Sequence, residues 1–258
     1  MTQHPNTAEF LSENGNPKVL CYSPYNRWTL HGLWEMTILH ALKLRGAAVH
    51  TVFCDGLFSD CDVFWAATCP RHHLSCVQCQ AEVSALALKM DMPYEWLGRY
   101  TTPEDFQKAR DWVETLTASK ITKAQYQGWR LGDWVKSSVH SHLRTSQLDL
   151  DQPSIQEAYR SYLYSGFLAC QGLSRLLDHD QPNVLLLFNG RMSSARIALE
   201  LAVERGIRVI CHERGLLSDS IILTENRTCI SLEPMRQIWQ NWRTIPLQLN
   251  ELEKMNAP

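Results

Sequence analysis

The chain has 258 residues, of which 45% are hydrophobic and 20% charged, a balance that excludes disorder, a collagen-like repeat and a disulfide-held miniprotein. Its 25 Lys and Arg against 27 Asp and Glu leave a formal charge of −2, so no electrostatic case for nucleic-acid or anionic-membrane binding arises. Apolar runs such as Val184–Phe188 are far too short to cross a bilayer. The amino end lacks the basic-then-apolar order of a signal peptide, and a cytoplasmic protein without a transmembrane segment is expected.

Residues 1–17 are polar, with Gly15 and Pro17, and read as a loose lead-in to a single domain over 18–258. Lys18–Tyr22 predicts a first strand, ended by Ser23-Pro24. From Trp28 to Arg45, Leu30, Leu33, Trp34, Ile38, Leu39 and Leu42 recur at helical spacing, with Gly46 as the stop. Ala47–Cys54 is a second strand, which completes a βαβ unit with parallel strands. Helices follow over Ser75–Met90, from Pro103 to Thr117, over Leu131–Arg144 and over Ser154–Asp178. No strand is evident among them, and residues 57–180 read as a large helical insertion. Val184–Phe188, helix Ser193–Arg205 and Ile207–Cys211 return to the α/β pattern. Ser220–Thr224 and Thr228–Leu232 read as a hairpin, and Pro234–Trp242 and Leu247–Met255 as closing helices. The expected fold is a Rossmann-like α/β domain with a mostly parallel sheet. The nine tryptophans fall mostly at helical spacing among apolar neighbours, where core packing is the default.

In open α/β sheets, ligands sit beyond the carboxyl ends of the strands. Two strands here end in Asn189-Gly190-Arg191 and His212-Glu213-Arg214-Gly215. Arg191 and Arg214 are suited to fork onto a phosphate or carboxylate, and His212 and Glu213 are candidate proton acceptors. The competing reading is a set of salt bridges and caps. Neither a phosphate-cradling glycine motif nor a G-x-S-x-G elbow is present.

Two segments carry a resemblance: FNGRMSSARIALELAVERGIRVICHERG and WTLHGLWEMTILHALKLRGAAVHTVFCDG, the latter followed by Cys61 and Cys76-x-x-Cys79. They resemble the acceptor-side domain of bacterial GT-B glycosyltransferases of the capsule and surface-polysaccharide group. The resemblance implies one half of a GT-B fold, a nucleotide-sugar donor and a saccharide or small-molecule acceptor. It also implies a donor-binding domain that this chain lacks, supplied by a separate domain or chain. Under it, His212 or Glu213 accepts the acceptor's proton, Arg191 or Arg214 faces the donor diphosphate, and Asn189 orients the acceptor. Arg27 and Trp28, in the loop after the first strand, join the substrate site. The alternative is a non-catalytic carbohydrate- or nucleotide-binding module.

Nine cysteines are present, five of them between Cys54 and Cys79. In a reducing compartment such crowding reads as a metal site. A structural zinc on Cys54, Cys61, Cys76 and Cys79 is the leading expectation, with an iron–sulfur cluster or free thiols as alternatives. Cys21, Cys170, Cys211 and Cys229 read as buried thiols.

Overall fold

The structure is a computed structural model that describes residues 15–25, 28–63, 73–215, 217, 220–249 and 251. Six strands, β1 (Lys18–Ser23), β2 (Ala48–Phe53), β3 (Tyr94–Trp96), β4 (Val184–Phe188), β5 (Arg208–Arg214) and β6 (Ile221–Glu225), form one sheet in the order β3-β2-β1-β4-β5-β6. The first five are parallel, and β6 runs antiparallel to β5. This is the doubly wound order, in which the chain reverses its direction of travel between β1 and β4 and opens a crevice beyond their carboxyl ends.

Helices cover both faces. On one lie α1 (Thr29–Leu44) and α2 (His73–Lys89); on the other lie α3 (Pro103–Glu114), α4 (Leu131–Leu143), α5 (Pro153–Asp180) and α6 (Ser193–Glu204). Because successive strand side chains alternate in direction, β1 serves two cores. Leu20 and Tyr22 pack with Leu185 and Leu187 beneath α4, α5 and α6, while Val19 and Cys21 join Leu186, Met36, Leu39, Val83 and Ala87 beneath α1 and α2. Burial on both faces is why VLLLF reads as an unbroken apolar run.

The expected Rossmann-like, mostly parallel sheet is observed, with three differences. The expected insertion at 57–180 contains a strand: β3 follows α2 and pairs with β2, so α2 is a crossover helix and the helical block begins only after β3. Three residues with half-buried side chains leave no alternation to read. Second, β5 continues through His212, Glu213 and Arg214, because β6 pairs with it as far as Arg214↔Ile221. Third, β6 takes β5 as its partner in place of residues 228–232. The helix expected over Leu247–Met255 falls largely outside the described residues.

The helical block is fastened at Asp105, whose carboxylate receives both guanidinium nitrogens of Arg175 on α5 (2.6 and 2.8 Å) and the Thr102 amide (2.7 Å) at the α3 N-terminus. These bonds, the Arg175 contact foremost, hold the Asp105 carboxyl down at about 2. A lowered carboxylate stabilises the fold above its unfolded value and loses that contribution as the pH falls through its folded one. Asp105→Asn should therefore lower the melting temperature by a few degrees at pH 6, about 1–2 kcal/mol after allowance for the half-exposed Arg175. The deficit should close as a thermal-denaturation series is carried from pH 4 toward pH 2.

Candidate functional site

The carboxyl edge of the sheet begins at Ser23, the last residue of β1 and almost wholly buried. Its hydroxyl donates to Glu35 Oε2, on the inward face of α1. The other carboxylate oxygen, Oε1, accepts from His212 Nε2 on β5 (3.0 Å). Both Glu35 and His212 are buried. A hydroxyl, a carboxylate and an imidazole thus form one chain that runs from β1 through α1 to β5. Ser23 also lines a cavity of about 420 Å³ between α1 and α2, with Gly32, Leu33, Met36, Phe53, Glu82, Val83 and Leu86. Its walls are mostly apolar; its polar groups are Ser23 and the exposed Glu82.

A second cavity, of about 440 Å³, opens beyond β4 and β5 and is lined by Trp28, Leu30, His31, Phe188, Asn189, Arg191, Met192 and Glu213. Its wall is aromatic: His31 lies over Phe188 with ring centroids 4.0 Å apart, and Trp28 meets Phe188 edge-on at 5.3 Å. Burial pushes the His31 imidazole below its ordinary value, favouring the neutral ring. His31 Nε2 stands 3.8 Å from Glu213 Oε1. The floor depends on the turn after β4. Asn189 and Gly190 both take left-handed backbone, φ 60° and 70°, and a Cβ on Gly190 would lie 2.8 Å from Cys211 Sγ. This turn lets Asn189 Nδ2 donate to Glu213 Oε2 (2.5 Å) while Asn189 Oδ1 accepts the Arg191 amide (3.0 Å).

Of the residues expected at the site, the structure brings Trp28, Asn189, Arg191 and Glu213 together around this second cavity. Arg191 is anchored there by Ser137 Oγ (3.0 Å) and Ser141 Oγ (3.3 Å) on α4. His212 does not join them. It faces the opposite side of β5 from Glu213, fully buried against Glu35, and cannot meet a hydroxyl in an open cleft. Arg214 lines a different, largely apolar groove of about 470 Å³ with Leu30, Trp34, Thr37, Ile38, Leu217, Ser220 and Ile221. Arg27 lies outside the described residues.

The expected zinc site is not assembled. Among the described residues, no three His, Cys, Asp or Glu side chains are gathered as metal ligands. Cys54 packs against the core beneath the helical block, and Cys61 against the Tyr25, Phe188 and Met192 cluster. Burial pushes the Cys54 thiol up to about 12 and the Cys61 thiol higher still; Cys76 and Cys79 lie on α2, with Cys76 beside the Gly56 turn.

Ser23, Glu35 and His31 escaped the sequence reading. One signal existed: Glu35 falls within the apolar helical stripe, beside Met36 and one turn before Leu39, where a carboxylate demands a buried partner.

No family model matches the chain, and no curated protein matches it in sequence. Among solved structures, a CDPS (cyclodipeptide synthase) from Fluoribacter dumoffii is similar at 9% identity and a TM-score of 0.49, covering 87% of this chain and 96% of that one. The expected membership of the GT-B glycosyltransferases is corrected accordingly. That structure is a CDPS, and neither sugar transfer nor the alternative carbohydrate- or nucleotide-binding module finds support.

A further buried carboxylate, Asp62, lies beside the hydroxyl at the α6 N-terminus. Asp62 accepts from Ser193 Oγ (3.4 Å) at the α6 N-terminus, and burial raises it from 3.8 to about 6 despite that bond. A raised acid favours the fold while protonated and loses that advantage as the pH climbs through its folded value, here between about 4 and about 6. The ionised form costs about 3 kcal/mol. Asp62→Asn should therefore raise the melting temperature by several degrees at pH 7.5 and flatten its fall between pH 4 and pH 6.5. An unchanged slope in differential scanning calorimetry would place the titration elsewhere.

Proposed function

We propose that this chain is an acyl-transfer enzyme in which Ser23 carries the acyl group. The observation that carries the proposal is the buried chain from Ser23 Oγ through Glu35 to His212, set at the floor of an apolar cavity at the strand ends. A nucleophile within hydrogen-bond reach of a base, itself held by a third group, is the arrangement that activates a hydroxyl.

Ser23 Oγ attacks the carbonyl carbon of the donor and its proton passes to Glu35. The bond from that carbon to the leaving heteroatom then breaks, and Glu35 returns the proton to the leaving group. In the second half an acceptor hydroxyl, amine or water attacks the Ser23 ester. Its proton moves to Glu35 and on to Ser23 Oγ as the ester bond breaks. His212 keeps one carboxylate oxygen occupied, so that the other stays directed at the hydroxyl; it is a positioning residue. Leu33, Met36, Phe53, Val83 and Leu86 suit the acyl portion of the donor. Glu213, Asn189, Trp28 and Arg191 are assigned to the acceptor, on the same edge of the sheet. A cytoplasmic location remains part of this reading, in keeping with eight described cysteines that form no disulfide among the described residues.

The test uses p-nitrophenyl esters of straight-chain acids from acetate to octanoate. Wild-type protein should release a burst of one equivalent of p-nitrophenol, and mass spectrometry should find the acyl group on the peptide containing Ser23. Ser23→Ala should abolish the burst, and Glu35→Gln should slow it roughly 10²–10⁴-fold. A burst that survives Ser23→Ala, or an adduct found on a cysteine, would refute the assignment.

A further inference from the structure

The helix α7 (Glu233–Trp242) stands off its own chain. Every side chain described in it is exposed. Met235, Ile238, Trp239 and Trp242 nevertheless recur at the spacing of a single helical face. The apolar series begins at Leu232 and continues through Ile245, Leu247 and Leu249, all exposed. Trp239 and Trp242, expected from their spacing to be core residues, keep about two-thirds of their surface in water, at 65% and 64%. A face of this kind calls for a partner.

Elsewhere on the molecule lies a receptor of matching character. The groove between α1 and β6 holds about 470 Å³ and is walled by Leu30, Trp34, Ile38, Leu217 and Ile221, with Arg214 at its edge. Leu223, two residues along β6 and on the same face as Ile221, is also exposed. We propose that α7 of one copy of this chain docks in the α1–β6 groove of a second copy, and that the exchange is reciprocal, giving a closed two-fold dimer. The inference is independent of the chemistry assigned to Ser23.

Area and charge select this occupant. With aromatic side chains offering roughly 150–250 Å² each, the exposed apolar residues from Leu232 to Leu249 present on the order of 800 Å² per copy. Two such faces, each buried in a groove, reach the ~1,200–2,000 Å² of a stable interface. The helix and its flanks carry Arg236 and Arg243 against Glu233 and Glu251, a neutral balance that gives no attraction to an anionic membrane. Reciprocity closes the assembly, since a contact between two different patches otherwise propagates into a filament.

Sedimentation velocity of the full chain across 1–100 µM, with tryptophan emission recorded on the same samples, tests the proposal. Wild-type protein should be dimeric at the upper concentrations, with emission shifting to the blue as the dimer forms. Trp239→Glu on the helix and Ile221→Lys in the groove should each yield monomers at every concentration. Because both positions are exposed, circular dichroism should show both variants folded. A monomer at 100 µM overturns the proposal. So does a dimer that resists either substitution, growth into larger open assemblies, or a monomer whose emission shifts only on neutral phosphatidylcholine vesicles.

Discussion

Glu35 is a carboxylate placed on the apolar side of a helix, and the arrangement of the carboxyl edge depends on how it is satisfied. Several kcal/mol are lost for each ion taken out of water unless its oxygens are paired. Here one oxygen takes the Ser23 hydroxyl and the other the His212 ring, so β1, α1 and β5 are tied through a single side chain. Removing either partner would leave a buried acceptor unmet, a far larger penalty than the net worth of the bond itself. The three groups are in that sense one unit, and the register of α1 on the sheet follows from it.

That unit sits where the sheet is already open. The crossover helices leave β1 and β4 in opposite directions, which parts the two faces beyond the strand ends. The helical block from α3 to α5 fills the far face with a continuous core, whereas α1 and α2 form a smaller core on the near face and leave the Ser23 cavity between them. Rigidity behind and space in front is a physical setting for a preorganised nucleophile. His31 divides the edge: it contributes to the second cavity, its ring tilted against Phe188 and its Nε2 turned toward Glu213.

Backbone geometry accounts for both strand-end motifs that resembled glycosyltransferases. Asn189-Gly190 is there because the chain must turn with two left-handed residues against Cys211, a requirement of the backbone. The run His212-Glu213-Arg214 belongs to a strand, and alternation along it sends neighbouring side chains to opposite sides. A motif that suggests convergence when read as a loop disperses its residues when read as a strand.

Hydrophobic periodicity, helix stops and Thr102-Pro103 were enough to determine the strands of the parallel sheet other than β3, the helices between them and the Rossmann-like class, because these signals are local and repeat within a few residues. The placement of Asn189, Arg191, Glu213 and Trp28 around one cavity at the strand ends was equally legible. The partnership of Ser23, Glu35 and His212 was not. The residues are 12 and 177 positions apart, and no local pattern records which strand will lie under a given helix face. The cysteines show the reverse case: their sequence crowding suggested one metal site, yet Cys54 and Cys61 pack into separate apolar clusters. Only the tertiary structure decided these pairings, because burial is a property of the assembled layers and a buried carboxylate finds its partners only when those layers close.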